Sequence, residues 1–390
     1  MNPGTSRLHH LDALRALTMF LILPAHALTL ISLQRGGWND LEESVFWAIH
    51  VFRLPLFFFI AGFFAALVLD SQGFPKLLRN RAIRIGIPLV LGVLTVAPLL
   101  SLCFHAASGG TFRPEATALA TFATPRPSYL WFLWHLMLLY AGVLAIRSTL
   151  GGQGRAMATL RGAGAWLLSH RLGPILLAVP TAVLLYRQPT WMASTPPDSF
   201  VPDPDLLAYY AIFFTAGWTI FATPGLRDSI ELRPWPYVAL AALALPAALA
   251  LYLAQSEPSI GEGRWFHILA LLLLSLATWS IVLGLLGISR HFLKTRSPRL
   301  RYLADASYWI YLSHLLPMTA LAALILDLRI PDGLRFALLI AATLSLIYPA
   351  YGAFVRHSAI GRVLHGPRSR SEQRPRRRLT QPARAAARRA

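Results

Sequence analysis

The stretch LDALRALTMFLILPAHALTLISL (11–33) is an almost unbroken apolar run, long enough for an α-helix to cross the roughly 30 Å hydrocarbon core of a bilayer. Beyond Asp12 at its start, two ionisable side chains interrupt it, Arg15 and His26. Eleven residues make about three helical turns, so the two share nearly one face, roughly 16 Å apart along the axis. Lipid cannot solvate either group, and an ionisable residue inside a span is by default a candidate functional residue. The plainer reading has Arg15 snorkelling to the headgroups and His26 bonding a neighbouring helix. Two such groups on one face point instead to a polar interior through much of the bilayer. Ala25-His26-Ala27 also fits a signal-peptidase site, but Arg15 breaks the preceding run and apolar residues continue through Ile31, which favours a span.

Working outward, the 390-residue chain is 55% hydrophobic and only 14% charged. This is the composition of a polytopic membrane protein and excludes an ordinary soluble enzyme. A span needs about 20 mostly apolar residues, and ten segments qualify: 11–33, 45–69, 83–104, 128–146, 172–187, 206–222, 235–254, 265–288, 302–326 and 334–355. They lack strand alternation, so the expected fold is an all-α integral-membrane helical bundle of about ten spans. It occupies residues 1–366. The remaining 367–390 is Arg/Ala/Pro-rich and reads as a disordered polybasic cytoplasmic tail.

Basic residues alternate with the spans. Lys76, Arg79, Arg81, Arg147, Arg155, Arg161, Arg171, Arg227, Arg233, Arg290, Lys294, Arg296, Arg299 and Arg301 fall in one set of loops. Asp40, Glu42, Glu43, Asp198, Asp203, Asp205, Glu257, Glu262 and Asp332 fall in the other. The positive-inside rule then places both termini in the cytoplasm. The net charge of +19 is therefore no nucleic-acid signal, since eleven of the 36 basic residues lie in 356–390 and most others flank spans. Membrane lipid is the expected partner of the tail. The single cysteine, Cys103, rules out an intramolecular disulfide, and the twelve histidines form no HExxH pattern, so no metal site is expected.

Counting about 1.5 Å per residue from each span's end puts His26, Arg53, His135 and His314 at overlapping depths in the outer half of the bilayer. Ser307, Tyr311 and His314 fall on one face of the ninth span. Near the cytosolic end, Arg79, Arg81 and Arg84 cluster where the third span starts. Arg81 and Arg84 are i,i+3 neighbours suited to clamping a phosphate, although ordinary positive-inside topology would also place arginines there. Asp12 is an i,i+3 partner for Arg15. Burial disfavours a charged imidazolium, so a buried neutral His26 suits a general base. Two function classes follow. One is an enzyme working on a cytosolic anion, and the other is a transporter or flippase with Arg15, His26 and His314 along an ion or substrate pathway.

Five stretches, in order, carry a family resemblance: LDALRALTMFLILPAH (11–26), FRLPLFFFIAGFF (52–64), LLRNRAIRIGIPLVLG (77–92), YLWFLWHLMLLY (129–140) and YLADASYWIYLSHLLP (302–317). The chain resembles the membrane acyltransferase 3 family, and within it the branch of glucan biosynthesis protein C, across nearly all of residues 8–366. The resemblance implies a bacterial inner (plasma) membrane enzyme that moves an acyl group, succinyl or acetyl, from cytosolic acyl-CoA to a hydroxyl of an extracytoplasmic glycan, such as a periplasmic glucan. It implies no permanently bound cofactor. His26 inherits the catalytic role with Arg15 in support, and Arg81/Arg84, with Arg79 beside them, inherit donor binding. Arg53, His135, Tyr311 and His314 are candidates on the acceptor side or for an oxyanion. Two departures stand out: Ala61-Gly62-Phe63 replaces the usual S-G-F, and Tyr129 stands where a histidine often opens the fourth stretch.

Overall fold

Long apolar runs with every backbone group satisfied inside the segment leave the α-helix as the local solution. The computed structural model describes residues 8–107, 124–150, 154–190, 192–193, 199–254, 264–293 and 298–366, and all regular elements among them are helical. The helices are α1 (His9–Phe20), α2 (Ile22–Arg35), α3 (Asp40–Gln72), α4 (Phe74–Arg81), α5 (Ile87–Leu94), α6 (Val96–Ala107), α7 (Trp131–Leu150), α8 (Arg155–Ser169) and α9 (Gly173–Tyr186). They continue as α10 (Pro204–Ala222), α11 (Leu226–Glu231), α12 (Trp235–Ala254), α13 (Arg264–Phe292), α14 (Pro298–Ser313), α15 (Leu315–Ile325), α16 (Asp332–Ala350) and α17 (Ala359–His365). Seven helices are long and apolar enough to cross a membrane, α1 and α2 counting as one, and three bent pairs raise the number to ten. The polybasic stretch 367–390 lies outside the described residues, as do Asp198, Glu257, Glu262, Lys294 and Arg296.

The bends refine the expected straight spans. Segment 302–326 is broken by 67° between α14 and α15. Pro317 is the cause, because it offers no N–H to the Ser313 carbonyl one turn earlier. The stretch between the fourth and fifth spans, expected as a loop, forms α8, which meets α9 at 113°.

Prolines also release carbonyls that neighbouring helices then satisfy. Pro55, inside α3, cannot donate to Val51, and the Thr278 hydroxyl on α13 takes that carbonyl at 3.2 Å. Pro88 cannot donate to Arg84, which sits in a π-helical turn (Ala82–Gly86), and the Tyr308 hydroxyl donates to the Arg84 carbonyl at 2.7 Å. We expect Thr278→Val, nearly isosteric, to cost about 1–3 kcal/mol by stranding a buried carbonyl. A fall in the thermal midpoint of detergent-solubilised protein measures it; an unchanged midpoint would remove Thr278 from this role.

The centre of the bundle is α3 against α10, with α13 behind. Phe58 stacks on Tyr210 at 4.4 Å and Phe213 on Trp279 at 4.3 Å. The backbones approach so closely that a Cβ at Gly62 would fall on the Phe214 carbonyl, and one at Gly217 on the Phe59 carbonyl. Ion pairs tie the two ends. Buried Glu231 pairs with Arg290 at 2.6 Å at one end, where it also accepts a hydrogen bond from His10 Nε2 at 3.1 Å, while Arg35 joins Glu42 and Asp332 at the other.

Candidate active site

Two polar layers lie inside the bundle. The layer at the Glu231–Arg290 end surrounds a cavity of about 120 Å³ lined by Arg15, Arg81 and Arg84 together with Tyr140, Tyr308 and Phe132. The π turn and Tyr308's bond to the Arg84 carbonyl hold that stretch of backbone in place. Arg81 lies over the Tyr140 ring at 4.7 Å, and its Nε and Nη2 are buried without a hydrogen-bond partner. Arg15 keeps Asp12 at 3.4 Å and lies 5.8 Å from the Phe64 ring. Helix α17 closes one side: Leu364 lines the cavity, and Gly366, at φ +81°, abuts the Arg84 guanidinium.

Arg79 does not join this group. It is exposed on α4 and is not among the cavity's lining residues. The reason is helical geometry, since i,i+2 neighbours face different sides while the i,i+3 pair Arg81/Arg84 shares one.

The second layer holds the histidines. The His26 and His314 rings stand 5.2 Å apart, tilted by 37°. His26 follows the Pro24 break in the first span, and His314 sits at the Pro317 break, so two interrupted helices present their imidazoles to each other. His314 is fully buried, and its Nδ1–H donates to the Tyr311 and Ile310 carbonyls at 2.7 and 3.1 Å. That leaves Nε2 as an acceptor, and it has no partner. His26 itself is only half-buried.

Arg53 supplies the cation of this layer. It is 7% exposed, its Nη2 lies 3.4 Å from His50 Nε2, and its Nε is buried without a partner. His50 Nδ1–H in turn donates to the Phe46 carbonyl at 2.8 Å. Arg53 and His50 are close enough to act electrostatically on His26, and Arg53 on Tyr210 and Tyr311.

Tyr311 and Ser307 are already engaged. The Tyr311 hydroxyl donates to the Tyr129 carbonyl at 3.3 Å, and Ser307 to Ala304 at 2.9 Å. His135 is buried, but its Nδ1–H donates to Trp131 and its ring packs on that indole at 5.2 Å; neither contact reaches the His26–His314 pair. Counting along a helix fixes height and leaves direction around the axis open. The layers adjoin through aromatic rings, because Phe132 of the cavity meets Tyr311 at 5.9 Å, and Tyr311 faces His314 at 6.4 Å.

Sequence reading missed His50, Tyr140, Tyr308 and the α17 contact. An i,i+3 signal linked His50 to Arg53 and Tyr308 to Tyr311; nothing in the sequence linked α17 to Arg84. Among the described residues no group of three or more His, Cys, Asp or Glu side chains could hold a metal ion.

The family model Acyl_transf_3, described as an acyltransferase domain, matches residues 8–352. The chain belongs to this acyltransferase family. Membership selects acyl transfer from the two function classes and identifies the bundle as a membrane acyltransferase. The chain is 26% identical over 337 residues to "Glucans biosynthesis protein C" of Shigella dysenteriae serotype 1 (strain Sd197), covering 80% of this chain and 83% of that protein. It is 25% identical to the protein of the same name from Escherichia coli (strain K12), with the same coverage. No solved structure matches the chain.

Proposed function

We propose that this acyltransferase moves a succinyl or acetyl group from acyl-CoA, bound at the Arg15/Arg81/Arg84 cavity, to a hydroxyl of a glycan approaching from the opposite face. The observation that carries this reading is Arg81: a half-buried residue whose guanidinium keeps two buried nitrogens, Nε and Nη2, without a hydrogen-bond partner in a cavity with two further arginines. Such groups seek an anion, and Arg–phosphate pairs are bidentate and strong. The arginine-rich loops, read by the positive-inside rule, support a cytoplasmic position for this face and both termini, and a bacterial inner membrane accords with the bacterial relatives. A periplasmic glucan as acceptor accords with the relatives' name.

Coenzyme A phosphates rest on Arg81 and Arg84, and the thioester arm runs past Phe132 and Tyr311 toward His26. His26 takes the acceptor's hydroxyl proton as the oxygen attacks the thioester carbonyl. The new C–O bond gives a tetrahedral oxyanion, which collapses with cleavage of the C–S bond, and the thiolate receives the proton from His26. His314 acts as a positioning residue: its ring stands 5.2 Å from that of His26, and its unpartnered Nε2 is the acceptor available to hold the His26 N–H once substrates are bound, which would fix which nitrogen is the base. The Tyr311 hydroxyl is committed to Tyr129, so Arg53 is the stronger candidate for the oxyanion, or for the free carboxylate of a succinyl group. Acyl-CoA is a substrate here, and the scheme uses no resident cofactor.

Acyl-CoA turnover by purified protein tests the donor site. Arg81→Ala loses charge-assisted hydrogen bonds worth about 1.5–3 kcal/mol. The donor KM should rise about tenfold or more with kcat largely kept. An unchanged donor KM would assign Arg81 to topology alone.

A further inference from the structure

The 113° bend between α8 and α9 opens a second, larger cavity that acyl transfer does not use. It measures about 470 Å³ and lies among α7, α8, α9 and α10. Its walls are mostly apolar, with Ile146, Leu160, Leu167 and Trp218 prominent, and its charged lining residues among the described ones are Arg147 and Arg161, the latter donating its Nε–H to the Met157 carbonyl at 3.3 Å. Arg147 follows Val143 by one turn, about 6 Å nearer the C-terminal end of α7.

The surroundings identify the medium from which an occupant comes. Leu160 and Trp166 of α8 are each 57% exposed, Leu172 at the bend 52% and Ile146 48%. A bilayer helix presents such surface to lipid, so a water-soluble solute would have to cross it, whereas a membrane lipid already lies against it. Two arginine side chains lining one cavity complement a phosphate. The volume falls within the range of ligand pockets and suits part of an acyl chain.

We infer that this cavity binds one anionic phospholipid of the adjoining leaflet, its acyl chain in the apolar pocket and its phosphate between Arg147 and Arg161. The lipid is a structural ligand that wedges α8 against the bundle, and the inference stands apart from the acyl donor assignment. A Cβ added at Gly164 of α8 would stand 3.2 Å from the Thr219 hydroxyl of α10, so the two helices pass close together beside the cavity, at a junction that a lipid would complete.

Native mass spectrometry of the full chain, titrated with phosphatidylglycerol or with phosphatidylethanolamine of the same chains, provides the test. The first site should bind phosphatidylglycerol about tenfold more tightly, the gain expected from charge-assisted bonds. Arg147→Ala with Arg161→Ala should erase the preference, and Thr215→Trp, which fills the cavity, should weaken both lipids. Excess inorganic phosphate should leave bound phosphatidylglycerol in place. Equal affinity of the wild type for the two lipids overturns the proposal without any variant. So does a preference that survives the double replacement, or displacement by phosphate alone, which would indicate a free-anion site.

Discussion

His26→Ala should abolish acyl transfer, lowering kcat by about 10³-fold, the range set by loss of a positioned general base. Folding and membrane insertion should survive, because His26 is half-buried and is no part of the tightly packed α3–α10 contact. His314→Ala should cost less, about 10²-fold, since its Nε2 acts through His26 while donor binding lies in the other layer. The donor KM should stay put in both variants, in contrast to Arg81→Ala. Acyl transfer in His26→Ala at near the wild-type rate, on the true acceptor, would show that the imidazole is not the base.

The largest effect on stability is expected at Gly62 and Gly217. Each would place a Cβ onto a backbone carbonyl of the opposing helix, Phe214 and Phe59 respectively. A backbone carbonyl cannot swing aside as a flexible side chain can, so α3 and α10 must separate. Separation also pulls Phe58 from Tyr210 and Phe213 from Trp279. Overpacking alone costs about 1–3 kcal/mol, and lost ring contacts add about 0.5–1.5 kcal/mol each. Gly62→Val and Gly217→Val should therefore remove most monodisperse protein from a detergent extract. Gly142→Val, with nothing within 4 Å of its Cβ, should behave as wild type. Normal yields of Gly62→Val would mean that the two helices do not meet this closely.

The spans were legible because a bilayer imposes length and polarity together, and a ruler of about 20 residues finds them. The pairing of Arg81 with Arg84 was legible too, since i,i+3 spacing and the end of a span fix both face and height, whereas the approach of Arg15 from another helix is a matter of tertiary packing. The pairing of His26 with His314 was only half legible: depth brought them level, and the breaks at Pro24 and Pro317 turned them together. His135 shows the limit, sharing a level while its contacts lie with Trp131. Gly62 is visible inside Ala61-Gly62-Phe63, but nothing local marks it as a contact point. Its reason for being small lies 152 residues away, at Phe214. The Tyr308–Arg84 bond was hidden for the same reason, because the carbonyl that Pro88 releases is local while its partner is not.

The central claim is a single reaction fed from two faces, with the donor on the arginine side and the acceptor on the other. Proteoliposomes of known orientation test it, with acyl-CoA confined to one compartment and glucan to the other. Wild-type protein should form acylated glucan only when acyl-CoA is on the Arg81/Arg84 face, and His26→Ala should form none in either arrangement. Product made equally well with acyl-CoA on the Arg35/Asp332 face would contradict the account.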